Sequence, residues 1–216
     1  MRVEEAIISR QSCRDFSDRE VPQEDLEKLM SLTCQAPSAI NLQPWQFTVV
    51  RGAEVARLSK KLLKAHSERG AGCKPDNQRT LPQVYLDRQK DLDKGMKPLL
   101  AEAGAEFATF INHGSLSFYG AQSVVIATLH TIFSQGRSLD VGIAAGWLLL
   151  AAEEMGLASC PIGLVCAYED VIGDFLNIQP DRQVVLALAV GYANENSPLN
   201  RFKTPRAPMK QVVRWY

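Results

Sequence analysis

The chain has no net charge, since 24 lysines and arginines balance 24 aspartates and glutamates over 216 residues. A balanced surface projects no long-range field to hold a polyanion, so nucleic acid is not an expected partner. Long apolar runs are also missing: the best, Val141 to Ala152, falls short of the roughly 18 residues that a spanning helix needs, and no membrane is expected. The start, Met1-Arg2-Val3-Glu4-Glu5, turns acidic where a secretory leader would be apolar, which points to the cytoplasm. Disulfide chemistry is not indicated: Cys13, Cys34, Cys73, Cys160 and Cys166 are odd in number, scattered and free of any CxxC pair, and read as reduced thiols. Nothing resembles a Pro/Gly/Ser-rich linker, an internal repeat or a low-complexity tract, so one domain over residues 1–216 is expected.

Several site signatures are absent as well. No G-x-G-x-x-G follows a strand, because Gly70-Ala71-Gly72 runs into Pro75, and no Walker loop occurs; neither a Rossmann nor a P-loop site is supported. A G-x-S-x-G hydrolase elbow is missing. The three histidines, His66, His113 and His130, show no metal-ligand spacing, and no metal is expected.

What is present reads as interleaved helices and strands. A short helix is expected over Arg2 to Arg10 and a better one over Pro22 to Gln35, where Leu26, Leu29, Met30 and Thr33 form a buried stripe and Pro22 suits the first helical position. Gln46 to Val50, Ser123 to Leu129 and Val184 to Val190 read as strands, the last two as apolar runs covered on both faces. Ala53 to Glu68 is expected to be helical. The stretch from Gly70 to about Gly114 mixes Pro75, Pro82 and Pro98 with a charged run from Tyr85 to Asp91 that suits a solvated helix. Leu139 to Met155 reads as a long apolar helix stopped by Gly156, with Gly142 and Gly146 on one face for close packing inside a subunit or across an interface. Without a regular βαβ rhythm, the expected class is an α+β sandwich.

Two segments invite chemistry. Arg10, Ser12 and Arg14 alternate, so on an extended backbone two guanidinium forks and a hydroxyl share one side and suit a phosphate or a polyol. A solvated basic edge after a helix is the plainer alternative. Pro37-Ser38-Ala39-Ile40-Asn41-Leu42-Gln43-Pro44-Trp45 reads equally as a ligand-facing loop or as a turn with Trp45 anchored in the core. Cys160 has no histidine near it in sequence and reads as a small buried filler.

Taken together, the Arg10–Arg14 segment, the Ala36–Trp45 loop, Gly156-Leu157-Ala158-Ser159-Cys160-Pro161-Ile162-Gly163-Leu164 and Arg206-Ala207-Pro208 resemble, in order, the signatures of the nitroreductase family of FMN enzymes. The resemblance implies that family's fold, a mixed and mainly antiparallel sheet wrapped by helices, in an interlocked homodimer with FMN at the subunit interface. It implies FMN as cofactor, NADH or NADPH as electron donor, and a small planar acceptor such as a nitroaromatic or quinone, reduced by two electrons in a ping-pong cycle without a side-chain acid or base. By the same resemblance Arg10 meets the phosphate, Gln11 and Ser12 support it, and Arg14 stabilises negative charge at the flavin N1 edge, where reduction places it. Ser38 and Asn41 bond a flavin held mainly by the other subunit, and Pro37, Ala39 and Gln43 shape its wall. Pro161, Ile162 and Gly163 present backbone at flavin N5, Asn112 contacts the flavin, and Arg206, with Lys203 beside it, meets the phosphate. The motifs leave open a flavin reductase, a deiodinase-like or flavin-cleaving member, or a non-catalytic flavin-binding, redox-sensing module. The aromatic residues Tyr85, Phe107, Phe110, Phe118 and Tyr119 either stack on the acceptor or pack.

Overall fold

A computed structural model of the chain describes residues 2–72 and 80–216; Cys73 and Pro75 lie outside the described residues. Eight α-helices among them, α1 (Val3–Ser9), α2 (Gln23–Thr33), α3 (Ala53–Arg69), α4 (Gln83–Glu102), α5 (Phe107–Leu116), α6 (Ser138–Glu154), α7 (Glu169–Leu176) and α8 (Met209–Val212), surround four strands, β1 (Trp45–Arg51), β2 (Ser123–His130), β3 (Ala158–Ile162) and β4 (Arg182–Gly191). The strand order is β1-β2-β4-β3, and every pair is antiparallel. Among the described residues the one parallel element is a single bridge between Ser12 and Ser159 at the outer edge of β3.

The central strands explain the layering. In β2 the side chains alternate between two apolar bodies: Val124 and Ile126 join Leu58 and Leu62 of α3, while Val125 joins Leu29 of α2 and Leu148 of α6. Residues 123–129 of β2 are all buried, which accounts for their continuous apolar run. Each fully buried Leu or Ile contributes about 1.5–3 kcal/mol relative to exposure, and the two faces of β2 meet both apolar bodies. The fold is an α+β sandwich with helices on both faces of an antiparallel sheet, as expected.

Several local expectations are refined. Pro22 occupies the N-cap of α2, with φ −55° and ψ 146°, one position before the first helical residue. Trp45 is half-buried and stacks on Phe47 with ring centroids 6.3 Å apart, so it caps the core rather than filling it. Gly156 follows α6 in the left-handed region at φ +71°, which only glycine adopts without strain. A Cβ on Gly142 or Gly146 would meet nothing within 4 Å, so close packing of α6 at these positions does not occur inside the chain. Pro98 lies within α4, whose residues 84 and 85 and 87–91 are exposed.

Ala158–Ile162, part of the motif Gly156–Leu164, forms the strand β3. It is an edge strand, and proline is tolerated there because one side of the strand has no continuous ladder to supply. Of the aromatic residues, Phe118 and Tyr119 are buried and Phe110 packs on the same cluster, whereas Tyr85 is exposed beneath Arg88.

Gly114 permits the Tyr119 ring to lie against α5, where a Cβ would overlap it, and Tyr119 also shares a 3.2 Å hydrogen bond with Ser115. Gly114→Ala is expected to destabilise the fold by about 1–3 kcal/mol, the usual cost of overpacking. An unchanged midpoint in urea denaturation would show that the ring moves aside freely.

Candidate functional site

Arg10 closes α1 with its N–H bonded to the Ala6 carbonyl, and its ψ of 127° turns the chain into an extended run. That run lies along β3: Ser12 bridges Ser159, and the Cys13 N–H donates to the Ser159 carbonyl at 2.9 Å. On the Cys160 side the segment gathers charge. Burial pushes the Cys160 thiol up to about 11, against the opposing pull of Arg14, a Ser12 hydrogen bond and Arg10. Arg14 Nη1 reaches the Ser12 carbonyl at 3.4 Å and Ser12 bridges Ser159, so Ser12 and Arg14 lie together beside β3, and alternation places Arg10 on the same side of the run. Arg10 and Arg14 are half-buried, and among the described residues neither has a carboxylate within 4.0 Å. Two partly desolvated guanidinium groups without a counter-ion favour an anion between them.

Gln11 points elsewhere. Its Nε2 donates to the Asn200 carbonyl at 2.8 Å, so its side chain braces the segment. Asn200 was not singled out by the sequence, yet its Oδ1 accepts the Arg14 N–H at 2.8 Å and its Nδ2 donates to the Asp15 carbonyl at 2.7 Å. A lone asparagine nearly two hundred residues downstream carries no local signal; only the folded chain brings it here.

The loop from Pro37 to Pro44 is wound tightly, with Ile40, Asn41 and Gln43 at φ of +43°, +58° and +44°. Such values are costly for a β-branched residue, and Ile40 is also 90% exposed. Internal bonds hold the loop: the Gln43 N–H donates to Ser38 Oγ at 2.9 Å and its Nε2 donates to Asn41 Oδ1 at 3.1 Å. Pro37 is exposed, and the Ala39 N–H reaches Asp140 Oδ1 at 3.4 Å in the first turn of α6, where Arg137 pairs with the same buried carboxylate at 3.2 Å. The loop is thus built as a rigid, projecting knuckle.

The sheet keeps this knuckle away from Arg10–Arg14. Trp45 lies level with Leu129 and Gln183, whereas Ser159 lies level with Val190. The two motifs consequently occupy opposite edges and opposite ends of the sheet, separated by about 20 Å along the strands and about 19 Å across four strand spacings, counting the Arg10–Arg14 run outside β3.

The remaining expected residues divide. Ile162 is buried in the core, so only its backbone is available, while Pro161 and Gly163 are exposed beside it. Asn112 is half-buried on α5, with Nδ2 3.5 Å from where a Cβ of Gly72 would stand. Lys203 is exposed; Arg206 lies beside α4 and donates to the Thr204 and Pro205 carbonyls at 2.8 and 3.3 Å. Both bonds are to its own neighbours in the chain, so among the described residues Arg206 is not tied to the charged segment.

The family model "Nitroreductase family" matches residues 7–192. The chain belongs to the nitroreductase family. It is 31% identical over 215 residues to nitroreductase NfnB of Mycolicibacterium smegmatis, covering 98% of this chain and 92% of that protein. It is 27% identical to a 4-nitrobenzoate reductase of Pseudomonas putida over 93% and 89% of the two chains. In structure it resembles the FMN-dependent nitroreductase NfnB from Mycobacterium smegmatis, solved in complex with NADPH, with a TM-score of 0.87, 31% identity and coverage of 99% and 97%.

Beside the charged segment the Cys13 and Cys160 thiols are buried and held protonated. Burial is the main cause that raises Cys13 and Cys160 from 9.0 to about 11, while Cys34 is exposed. Because the folded values lie above the unfolded one, their contribution to stability is complete below about pH 9 and is lost as pH rises toward 11. At pH 8, iodoacetamide is expected to label Cys34 and to spare Cys13 and Cys160 until the protein unfolds, as read by peptide mass spectrometry. Equal labelling of Cys160 and Cys34 would contradict a buried, protonated thiol.

Proposed function

We propose that the protein is an FMN-dependent oxidoreductase that takes electrons from NADPH or NADH and reduces nitroaromatics, quinones or related planar acceptors in two-electron, ping-pong turnover. The observation that carries this reading is the pair of half-buried, uncompensated guanidinium groups of Arg10 and Arg14, converging with Ser12 beside β3 in a chain of this family. NADPH is favoured as donor by analogy with the M. smegmatis NfnB structure, which contains it. The acceptor class rests on the nitroaromatic reductases among the relatives.

The residues present fit the cofactor. FMN offers a dianionic phosphate, a hydroxylated ribityl chain and a ring whose N1–O2 edge becomes negative on reduction, and the segment offers two fixed cations and a hydroxyl for them. When bound, FMN supplies the ring that accepts a hydride from the nicotinamide and hands two electrons to the acceptor. Arg10 neutralises the phosphate with Ser12 in support, and Arg14 holds positive charge against the N1–O2 edge. In the Pro161–Gly163 segment Pro161 has no N–H, so the donors are the backbone N–H groups of Ile162 and Gly163, and Asn112 contributes a side-chain amide. Lys203 and Arg206 are assigned to the phosphate by the family resemblance alone, since within one chain Arg206 lies beside α4.

Ser38 and Asn41 sit across the sheet from this locus, so they complete the site of a second copy. The helix that would pair is α6: Leu139, Gly142, Ile143, Gly146, Trp147 and Leu150 recur at spacings of three and four along one face. Leu139 and Trp147 are 67% and 45% exposed, and both glycines are open to a neighbour. Such a stripe suits a self-complementary twofold pairing, with the glycines allowing close approach. We accordingly read the chain as one domain of a cytoplasmic homodimer with FMN at its interface.

An absorption spectrum of the purified protein, before and after anaerobic NADPH, tests the reading, with FMN added if the protein is colourless. Flavin bands that bleach and then recover on addition of 4-nitrobenzoate are expected; failure to bind FMN would sink it. Arg14→Ala should lower the flavin midpoint potential and slow turnover at least tenfold, about 1.4 kcal/mol. In light scattering, Trp147→Glu should shift the protein toward monomer with loss of bound FMN, whereas a flavin-loaded monomer would overturn the shared site.

A further inference from the structure

Asn200, Arg201 and Phe202 are consecutive and grip two different parts of the molecule. The Asn200 side chain spends its amide fully, accepting the Arg14 N–H and donating to the Asp15 and Asn194 carbonyls, while its own carbonyl accepts from Gln11. Arg201 pairs with Glu102, the last residue of α4. Phe202 lays its ring on the middle of α4 at Gly95, where a Cβ would overlap it. That part of α4 needs support. Gly95 is a poor helix former and Pro98 lacks the N–H that would close the turn, so the helix owes its seating there to side chains packed on it.

We propose that Asn200, Arg201 and Phe202 form a positioning clamp that couples the seating of α4 to the geometry of the Arg10–Arg14 segment. Asn200 is the positioning residue: it fixes the backbone from which the Arg14 guanidinium projects. Phe202 is the coupling residue, two positions along the chain, so displacement of α4 reaches the charged segment through a connection of fixed length. The clamp rests on the FMN reading for its consequence and on hydrogen bonds and packing for its existence. Any event that shifts α4 thereby changes flavin affinity and potential through the clamp.

The test compares unmodified protein with Asn200→Ala, Phe202→Ala and Phe202→Leu, using FMN titration, flavin midpoint potential and backbone hydrogen exchange. Asn200→Ala is expected to weaken FMN binding about tenfold, in line with loss of several hydrogen bonds, and to lower the potential. Phe202→Ala is expected to raise exchange in α4 and in residues 10–14 together and to weaken FMN about threefold, and Phe202→Leu to restore most of both. A merely structural role would move the melting temperature but leave the potential of the remaining bound flavin unchanged. Faster exchange in α4 with unchanged exchange in residues 10–14 and unchanged FMN affinity would overturn the clamp and leave the functional reading intact. If Phe202→Ala fails to fold, Phe202→Leu is read for the same coupling, and unchanged exchange, affinity and potential in both it and Asn200→Ala overturn the clamp. If the unmodified protein binds no FMN, the functional reading fails and the clamp's cofactor role with it, while coupled exchange would still report the mechanical link.

Discussion

The hydrogen bond from the Cys13 N–H to the Ser159 carbonyl, 2.9 Å long, is the constraint on which the site depends. It makes the run after α1 a short parallel neighbour of the edge strand β3. Alternation along an extended chain then sends Arg10, Ser12 and Arg14 to one side. Without this tether the two guanidinium groups would swing into solvent, where charge costs nothing and holds little. With it they stay partly desolvated beside a buried thiol, and an anion gains from both at once.

The same sheet that creates this locus separates it from the other motif. Four antiparallel strands place the Ala36–Trp45 loop at the far edge and far end from Ser159. The loop is stiffened internally and pinned to Asp140, so it does not reach across its own sheet. Its strained Ile40 is 90% exposed, and Leu139 and Trp147 are exposed on the outer face of α6. In the homodimer proposed above, one cofactor site would be divided between these two corners, so association and cofactor binding would be a single problem and the open apolar face of α6 the place where the copies meet.

Much of the fold was legible because local and tertiary preferences agree. Both buried strands announced themselves as continuous apolar runs, and α2 and α6 were bounded by Pro22 and Gly156 close to where the structure ends them. β3 was not legible, since proline and flanking glycines signal a loop unless the neighbour order is known. The closing helices α4 and α5 were obscured by scattered prolines, one of which, Pro98, is carried inside a helix. In the site, the alternation of Arg10, Ser12 and Arg14 could be read directly. Gln11 could not be assigned to bracing, nor Asn200 noticed at all, because their partners lie 189 and 186 residues away along the chain.

By itself the sequence determined the family, the α+β class, the two central strands and the clustering of charge at Arg10–Arg14. These follow from periodicities of a few residues and from short motifs, which act locally. The tertiary structure alone decided which edge receives that charge, that the two motif groups stand at opposite corners, that the glycines of α6 face outward, and that Asn200 holds the charged segment. Each of these depends on strand order and register, and register is set by the packing of the whole sheet against its helices rather than by any one stretch of residues.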